Sequence, residues 1–361
     1  MPGLTPLRCV ADCLALDAGR DAALEHTLRH GQVNWRQIIW LASGHLVTPS
    51  LSASLQRGGW LHLLPPAVAD YLDAFRQLNL ERNAIFLQEL EAIATALNQR
   101  GLEPLLLKGA NALLSDAYPG AEDRMLGDLD LYLPESQHPE ALQALRERDY
   151  QPAHASRQWW LPSEHASIHH AVPMLHRTLP TKVELHRRLL LDQNDNAMLA
   201  ENLKTRSIPL ANGARVLVPD RLSQIRHNVL HARISDHQAR ERRLNLRPLL
   251  EFARLAHRLD PGEAEQLLAG LSRHRQRLCL EVWALAEDWL QLAYPAHLPR
   301  SPHQQRELWL TERVAASPAW ARGFRLYNSL LRLPPRLLRF GPRIVRKPGY
   351  LPAKAQKMAK P

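Results

Sequence analysis

The chain contains 361 residues, which is enough for two or three domains of ordinary size. Apolar residues make up 45% and charged residues 23%, which excludes a collagen, a disulfide-rich mini-protein and a fully disordered chain. The apolar runs are far shorter than a membrane-spanning helix, and Asp12 and Asp17 interrupt the segment where a signal peptide would be apolar. We therefore expect a cytoplasmic protein without a transmembrane segment.

The positive charge is concentrated at the C-terminal end. Lysine and arginine total 46 against 36 aspartates and glutamates, for a formal net charge of +10. Twelve lysines and arginines but no acidic residue follow Glu312, so residues 1–312 carry a net charge near −2. Three interpretations of this basic tail stay open: a solvated end, a nucleic-acid site, or a segment that lies on an anionic membrane surface.

The three cysteines do not indicate a disulfide framework. The number of cysteines is odd, and they are Cys9, Cys13 and Cys279. A single Cys-x-x-x-Cys spacing is only a weak indication of a metal site. We expect buried free thiols.

The chain divides into four regions by pattern. Residues 1–100 have apolar residues at helical spacing and predict a helical N-terminal region. Residues 101–192 predict an α/β core, and helical spacing returns over residues 193–298. Residues 299–361 are rich in proline and basic residues, and we expect a loosely ordered tail.

Strand patterns define the predicted core. Leu105–Leu107 is a short apolar run, and Leu126–Leu133 alternates with period two. Further strand candidates lie at Ile168–Met174 and Lys182–His186, and Pro139–Arg148 predicts a helix on the sheet.

The most informative motif is Gly127-Asp128-Leu129-Asp130-Leu131. Two aspartates two residues apart on a strand share a face, while the intervening leucines point to the other face. Paired carboxylates repel unless positive charge lies between them, and a divalent ion such as Mg²⁺ supplies it. An exposed strand with two solvated acids is the alternative.

Two neighbouring features bear on this motif. Lys108 and Gly109 stand at a predicted strand-to-helix junction, where a glycine lets a phosphate approach the backbone and a lysine adds charge, although an ordinary tight turn has the same pattern. Glu184 lies between apolar residues on a candidate strand and could complete a metal site, or could simply face solvent. His186 shares its face and could contact substrate, order Glu184 or pack structurally.

Together these elements resemble the uncharacterised nucleotidyltransferase-like family of the DNA polymerase beta nucleotidyltransferase superfamily. The resemblance rests on Leu106-Leu107-Lys108-Gly109, Tyr118-Pro119, Arg124, Asp128-Leu129-Asp130-Leu131 and Val183-Glu184-Leu185-His186, in that order. It implies an α+β fold in which a small mixed β-sheet is inserted between mainly α-helical N- and C-terminal regions.

The resemblance also implies roles for residues. Asp128, Asp130 and Glu184 would hold Mg²⁺ or Mn²⁺, and Glu184 would help to activate the acceptor hydroxyl. Gly109 would contact the triphosphate of an NTP, with Lys108 and Arg124 neutralising its charge. The sequence departs from the superfamily at Ala110, where serine or glycine is usual.

Histidines suggest other sites more weakly. A zinc site could be drawn from His165, His169 and His170, but no cysteine lies near and the spacing is not that of a ligating helix. His227 and His231 are one helical turn apart and could face a cleft.

We therefore expect a Mg²⁺-dependent nucleotidyltransferase that transfers a nucleoside monophosphate from an NTP to a hydroxyl of RNA, protein or a small molecule. A non-catalytic nucleotide- or RNA-binding regulatory protein with the same fold is the alternative. A hydrolase or phosphotransferase that uses the same metal site is a third candidate.

Overall fold

The fold was derived from a computed structural model that describes residues 5–15, 22–30, 33–115, 117–153 and 170–331. The N-terminal part is helical, as its apolar spacing predicted. It contains α1 (Pro6–Leu14), α2 (Ala22–His30), α3 (Trp35–Gly44), α4 (Thr48–Arg57) and α5 (Pro66–Asn98). The thiols of Cys9, Cys13 and Cys279 are free and buried, as expected.

A single helix of 33 residues, α5, connects the N-terminal helices to the sheet. It begins after Pro65, with Pro66 in the first turn where a missing N–H costs nothing. Its C-terminal half buries Phe86, Leu90 and Ile93 against the sheet. The side-chain amides of Asn79 and Asn83 donate to backbone carbonyls of residues 121–124, which fixes the loop that precedes the aspartate motif.

In the described part of the chain, one mixed sheet contains seven strands: β1 (Leu105–Leu107), β2 (Leu129–Tyr132), β3 (Tyr150–Pro152), β4 (Met174–His176), β5 (Lys182–His186), β6 (Thr205–Pro209) and β7 (Arg215–Pro219). Their order across the sheet is β3-β4-β5-β2-β1-β7-β6. The pairs β2–β5 and β1–β7 are parallel, and the other pairs are antiparallel. The short helix α6 (Lys108–Ala112) follows β1, and α7 (His138–Glu147) follows β2.

The two faces of the sheet differ in chemistry. One face packs against α5 and α7 and is apolar, with Leu129, Leu131, Val183 and Leu185 in its core. On the other face, Leu105 and Leu107 join a smaller cluster with Leu199 and Leu230, which come from helices before and after the β6–β7 pair. Polar residues of β2 and β5 occupy the rest of this second face.

Helices make up most of the chain after β5. They are α8 (Gln193–Glu201) before the last two strands, then α9 (Arg221–Leu230), α10 (Gln238–Glu241), α11 (Leu246–Ala256), α12 (Pro261–Leu268), α13 (Arg273–Leu290), α14 (Pro302–Ala316) and α15 (Pro318–Leu331). A π-helical turn at His231–Ser235 continues α9. Within the described ranges, no helix combines the length and apolarity needed to cross a bilayer.

Three sequence expectations about elements were wrong. The region 193–298 is not only helical, because β6 and β7 form a hairpin in it, and Leu217 of that hairpin pairs with Leu105. Residues 168 and 169 of the strand expected at Ile168–Met174 lie outside the described residues. From residue 170 onward, an isolated bridge joins His170 to His186, and the strand β4 begins only at Met174 (Met174–His176).

The third expectation concerned the tail. We expected this region to be loosely ordered because it is rich in proline, but it contains the helices α14 and α15. Pro302 and Pro318 do not prevent these helices, because each occupies the first position of its helix, where proline is tolerated. A capping box between Ser301 and Gln304 also fixes the start of α14. Residues 332–361 of the predicted tail lie outside the described residues.

Candidate active site

Strands β2 and β5 bring the predicted site residues together. The strands are parallel, with Asp130 opposite Glu184 and Tyr132 opposite His186. Asp130, Glu184 and His186 each offer a ligand atom, and these three atoms lie within 4.8 Å of one another. Asp130 is 2% and His186 0% exposed, so the cluster is built into the fold rather than formed by chance on a surface.

Lys108 closes one side of this cluster. It directly follows β1, where Leu107 pairs with Asp130, and its Nζ lies 2.8 Å from Asp130 Oδ1. Burial alone would raise the pKa of Asp130, but the Lys108 ammonium and His186 hold it well below its ordinary value. Lys108 has a φ of +45°, a strained conformation for a side chain with a Cβ, and such strain is commonly found at functional sites.

Lys182 lies between the other two carboxylates. Its Nζ is 2.8 Å from both Asp128 Oδ2 and Glu184 Oε1. These contacts raise the pKa of Lys182 against the effect of its burial, while burial and Asp130 raise the pKa of Asp128. Asp128 therefore contacts Lys182, and it is not part of the group formed by Asp130, Glu184 and His186.

His186 is a buried neutral donor in this arrangement. Burial lowers its pKa, so the ring is neutral near pH 7. Its Nε2 lies 2.7 Å from Asp130 Oδ1 and 4.0 Å from Glu184 Oε2, and a carboxylate partner requires the proton on Nε2. His170 adds a second imidazole, with Nε2 3.9 Å from Glu184 Oε2.

Gly109 is buried at the start of α6, and its packing explains the absence of a side chain. A Cβ at this position would lie 2.5 Å from Leu126 Cδ2, closer than carbon atoms approach. A side chain at this position would therefore force the Leu126 side chain to shift. Its predicted contact with a triphosphate stays a prediction.

A cavity of about 80 Å³, partly open to solvent, lies beside Lys108. One wall is the β1–α6 segment, and the other is formed by α9, the π-helical turn and α11. Arg124 lines it, but its Nε donates to Glu251 Oε2 at 3.2 Å and its guanidinium lies 5.8 Å from the Tyr118 ring centre. The expected phosphate ligand is therefore engaged in a buried ion pair.

Two other polar groups in the cavity wall lack such partners. Among the described residues, no acceptor contacts the guanidinium of Arg247, whose pKa is lowered by burial and by repulsion from Arg124. Asn111 is 5% exposed, and its Oδ1 has no hydrogen-bond partner in the part of the chain that the structure describes. An unpaired cation and an unpaired amide in one cavity wall suit a ligand that carries both negative charge and hydrogen-bond donors.

His227 and His231 both line this cavity, as their spacing suggested. His227 Nε2 lies 3.0 Å from the Leu189 carbonyl, and burial lowers the pKa of His227 to about 3. His231 Nδ1 is 3.6 Å from Asp236 Oδ2. His227 thus holds the wall together, and His231 is the more exposed of the two.

Of the three histidines in the zinc hypothesis, His165 and His169 lie outside the described residues. His170 contacts Glu184 as described above. His176 accepts from the backbone N–H groups of Thr178 and Leu179, which is a structural role in the turn after β4.

Sequence reasoning missed Lys182, Arg247 and Asn111. Lys182 stands two residues before Glu184 on the same strand, and residues two apart on a strand share a face. The argument that put His186 on the face of Glu184 therefore applies to Lys182 as well. No comparable sequence pattern indicated a site role for Arg247 or Asn111. They become candidates only because segments far apart in the sequence fold together and place both of them in the wall of one cavity.

Comparison with known protein families matches residues 31–291 to the family described as uncharacterised nucleotidyltransferase. Neither the curated proteins nor the solved structures contain a match to the chain. The matched segment includes the sheet, the carboxylate cluster and the cavity walls. Because it covers well over half of the 361 residues, the chain belongs to this nucleotidyltransferase family.

Proposed function

We propose that the protein is a divalent-metal-dependent nucleotidyltransferase that moves a nucleoside monophosphate from an NTP to a hydroxyl acceptor. The observation that carries the proposal is the buried group of Asp130, Glu184 and His186, with Lys108 bound to it and a cavity beside it. Family membership supports the same class of reaction.

The donor set fits a divalent cation. Asp130 and Glu184 supply the oxygen ligands that Mg²⁺ prefers, and an imidazole nearby is equally compatible with Mn²⁺. Asp128 would join them once Lys182 moves away from it. A bound metal would supply charge for the triphosphate and for the developing negative charge at the reacting oxygens.

The chain's own side chains would orient the substrates. Lys108 and Arg247 would bind phosphate oxygens, since both face the cavity and Arg247 has no internal partner among the described residues. Asn111 would hydrogen-bond to the ligand through its unpaired amide. His186 would keep the Asp130 carboxylate in place through its Nε2–H.

The proposed reaction is an in-line displacement. The acceptor oxygen forms a bond to the α-phosphorus, and the bond from that phosphorus to the pyrophosphate oxygen breaks. Glu184 would accept the proton of the acceptor hydroxyl, because its carboxylate borders the cluster and is the least buried of the three grouped residues.

One observation favours a second candidate, a nucleotide-binding regulatory protein without catalysis. Lys108 and Lys182 already neutralise part of the negative charge of Asp128, Asp130 and Glu184, so the cluster is a stable set of ion pairs without a metal. Such a protein would bind NTP in the cavity and transfer nothing.

The test is label transfer from each of the four α-labelled NTPs, with Mg²⁺ or Mn²⁺ and a cell extract as the source of acceptors. Wild type should label an acceptor, and Asp130→Asn should reduce labelling to background. Asp70→Asn, on an exposed turn of α5, is the matched control and should retain transfer. NTP binding by calorimetry without transfer in any condition would favour the regulatory protein, and absence of both would reject the two candidates.

A further inference from the structure

The π-helical turn at His231–Ser235 borders a second pocket, which is open to solvent and has a volume of about 360 Å³. We call it the α10 pocket, because α10 forms one of its walls and α13 forms another. Its lining, as far as the structure describes it, contains one acidic residue, three histidines and four arginines, which are Arg233, Arg240, Arg242 and Arg277. Among the described residues, none lines both this pocket and the cavity beside Lys108.

Carboxylates compensate only part of the positive charge in the α10 pocket. Glu281 Oε2 lies 3.1 Å from Arg233, and its Oε1 lies 3.5 Å from Arg277, so two guanidinium groups share one carboxylate. Arg242 pairs with Glu307 of α14. Four arginines against these two carboxylates leave two positive charges in excess.

Two other acidic residues lie near α10 but do not line the pocket. Asp236 Oδ2 is 3.6 Å from His231 Nδ1, and Glu241 Oε2 is 3.9 Å from Arg243 Nε. Each of these carboxylates therefore has a basic partner outside the lining, and neither pairs with one of the four arginines of the pocket in the described structure.

Buried arginine N–H groups of the pocket lack acceptors. Arg233 is 3% exposed, and its Nε has no hydrogen-bond partner among the described residues. The Nε of Arg242 is also buried without such a partner in the described ranges. Burial lowers the pKa of Arg233, and Arg242 acts in the same direction, although Glu281 raises it. A bound oxyanion would supply both the acceptors and the missing negative charge.

The backbone around the pocket is strained. His237 and Arg242, which flank α10, have φ values of +56° and +52°, and both residues line the pocket. This left-handed region is uncommon for residues with a Cβ, and such strain concentrates at functional sites. Single π-helical turns, such as the one at His231–Ser235, are also frequent at functional sites.

We propose that the α10 pocket binds a small ligand that carries a diphosphate group or two neighbouring phosphates. The guanidinium fork matches the oxygens of a phosphate, and two excess positive charges suit a ligand with at least two negative charges. The pocket has a buried bottom, at Arg233 and Leu278, and an exposed rim, at Arg240 and Arg277. This shape suits a compact ligand, whereas a single-stranded nucleic acid needs a basic groove that follows its backbone.

The proposal goes beyond nucleotidyl transfer and does not depend on it, because the pocket is built from residues outside the carboxylate cluster and its cavity. Isothermal titration calorimetry of the full chain with pyrophosphate, without divalent metal, tests it. Wild type should bind pyrophosphate more tightly than orthophosphate. Arg240→Gln/Arg277→Gln removes two cations from the rim and should weaken binding by at least about tenfold. Arg146→Gln, at an exposed position of α7, is the matched control and should bind as wild type does.

A further variant separates the α10 pocket from the cavity beside Lys108. Arg247 lines that cavity and not the pocket, so Arg247→Gln should retain pyrophosphate binding. Circular dichroism of every variant should match wild type. Loss of binding in Arg247→Gln with full binding by the rim variant would overturn the proposal, and so would absence of binding by wild type. Displacement of pyrophosphate by a short single-stranded oligonucleotide without terminal phosphates would also overturn it.

Discussion

Replacing Lys182 with methionine should strengthen divalent-metal binding at the carboxylate cluster. The Lys182 ammonium lies 2.8 Å from both Asp128 and Glu184, so it occupies the position of positive charge between two proposed ligands. A metal ion that binds these carboxylates must displace the ammonium or tolerate it as a neighbour. Methionine preserves most of the length of the side chain and removes this competition.

The size of the effect follows from the geometry. Two unit charges about 4 Å apart at an effective dielectric constant of about 20 interact by about 4 kcal/mol. The Lys182 side chain is 31% exposed, so solvent screens much of this energy. We expect a gain of about 1–2 kcal/mol, which corresponds to roughly a tenfold lower dissociation constant.

Isothermal titration calorimetry with Mn²⁺ and with Mg²⁺ measures this change directly. Lys204→Met is the control, since Lys204 is an exposed lysine before β6 and should leave metal binding unaltered. If Lys182→Met bound metal more weakly than wild type, Lys182 would be organising the carboxylates rather than competing for them. An unchanged constant would mean that the metal does not use Asp128 or Glu184.

Three further predictions concern stability, measured by urea denaturation. Glu281→Gln should lower the free energy of unfolding by about 3–5 kcal/mol, because it leaves the buried Arg233 without its carboxylate partner. Glu287→Gln, on the same helix, removes an ion pair at the surface and should lower it by less than about 1 kcal/mol. Equal losses of stability in the two variants would refute this reasoning. Gly109→Ala should cost about 1–3 kcal/mol through its clash with Leu126. The folded chain keeps His227 neutral down to its pKa of about 3, so stability should fall by about 2 kcal/mol between pH 6.5 and 5, and His227→Gln should flatten that slope.

Much of the fold could be predicted from the sequence because its signals are local. The apolar spacing of residues 66–98 gives a helix, and the alternation around Asp130 gives β2. The β6–β7 hairpin was missed although Asn212-Gly213 between two short strands is a typical turn signal, and Gly213 has a φ of +83°. The two strands have only five residues each, and the helical apolar spacing on both sides led to the prediction that the whole region is helical.

The site could be predicted only in part because it depends on strand order. Asp130, Glu184 and His186 come together because β2 and β5 are neighbours, and a sequence does not specify which strands pair. The resemblance to a family supplied that pairing. It did not supply the partners of Asp128 and Arg124, because Lys182 and Glu251 form ion pairs that only the packed structure determines.

Lys108 and Lys182 explain how several carboxylates can lie close together on one face of the sheet. Three carboxylates on one face of a sheet would repel one another, and the buried Asp130 would be costly to ionise without a counter-charge. The ion pairs of Lys108 and Lys182 with these carboxylates offset part of that cost in the folded chain. If a metal, as proposed, replaced Lys182 and left Lys108 able to bind a phosphate oxygen, the same side chains that stabilise the carboxylates would prepare the site for the substrate. Metal binding and NTP binding should then strengthen each other. The metal would displace lysine ammonium groups from the carboxylates, and the phosphates of the NTP would provide new partners for those ammonium groups.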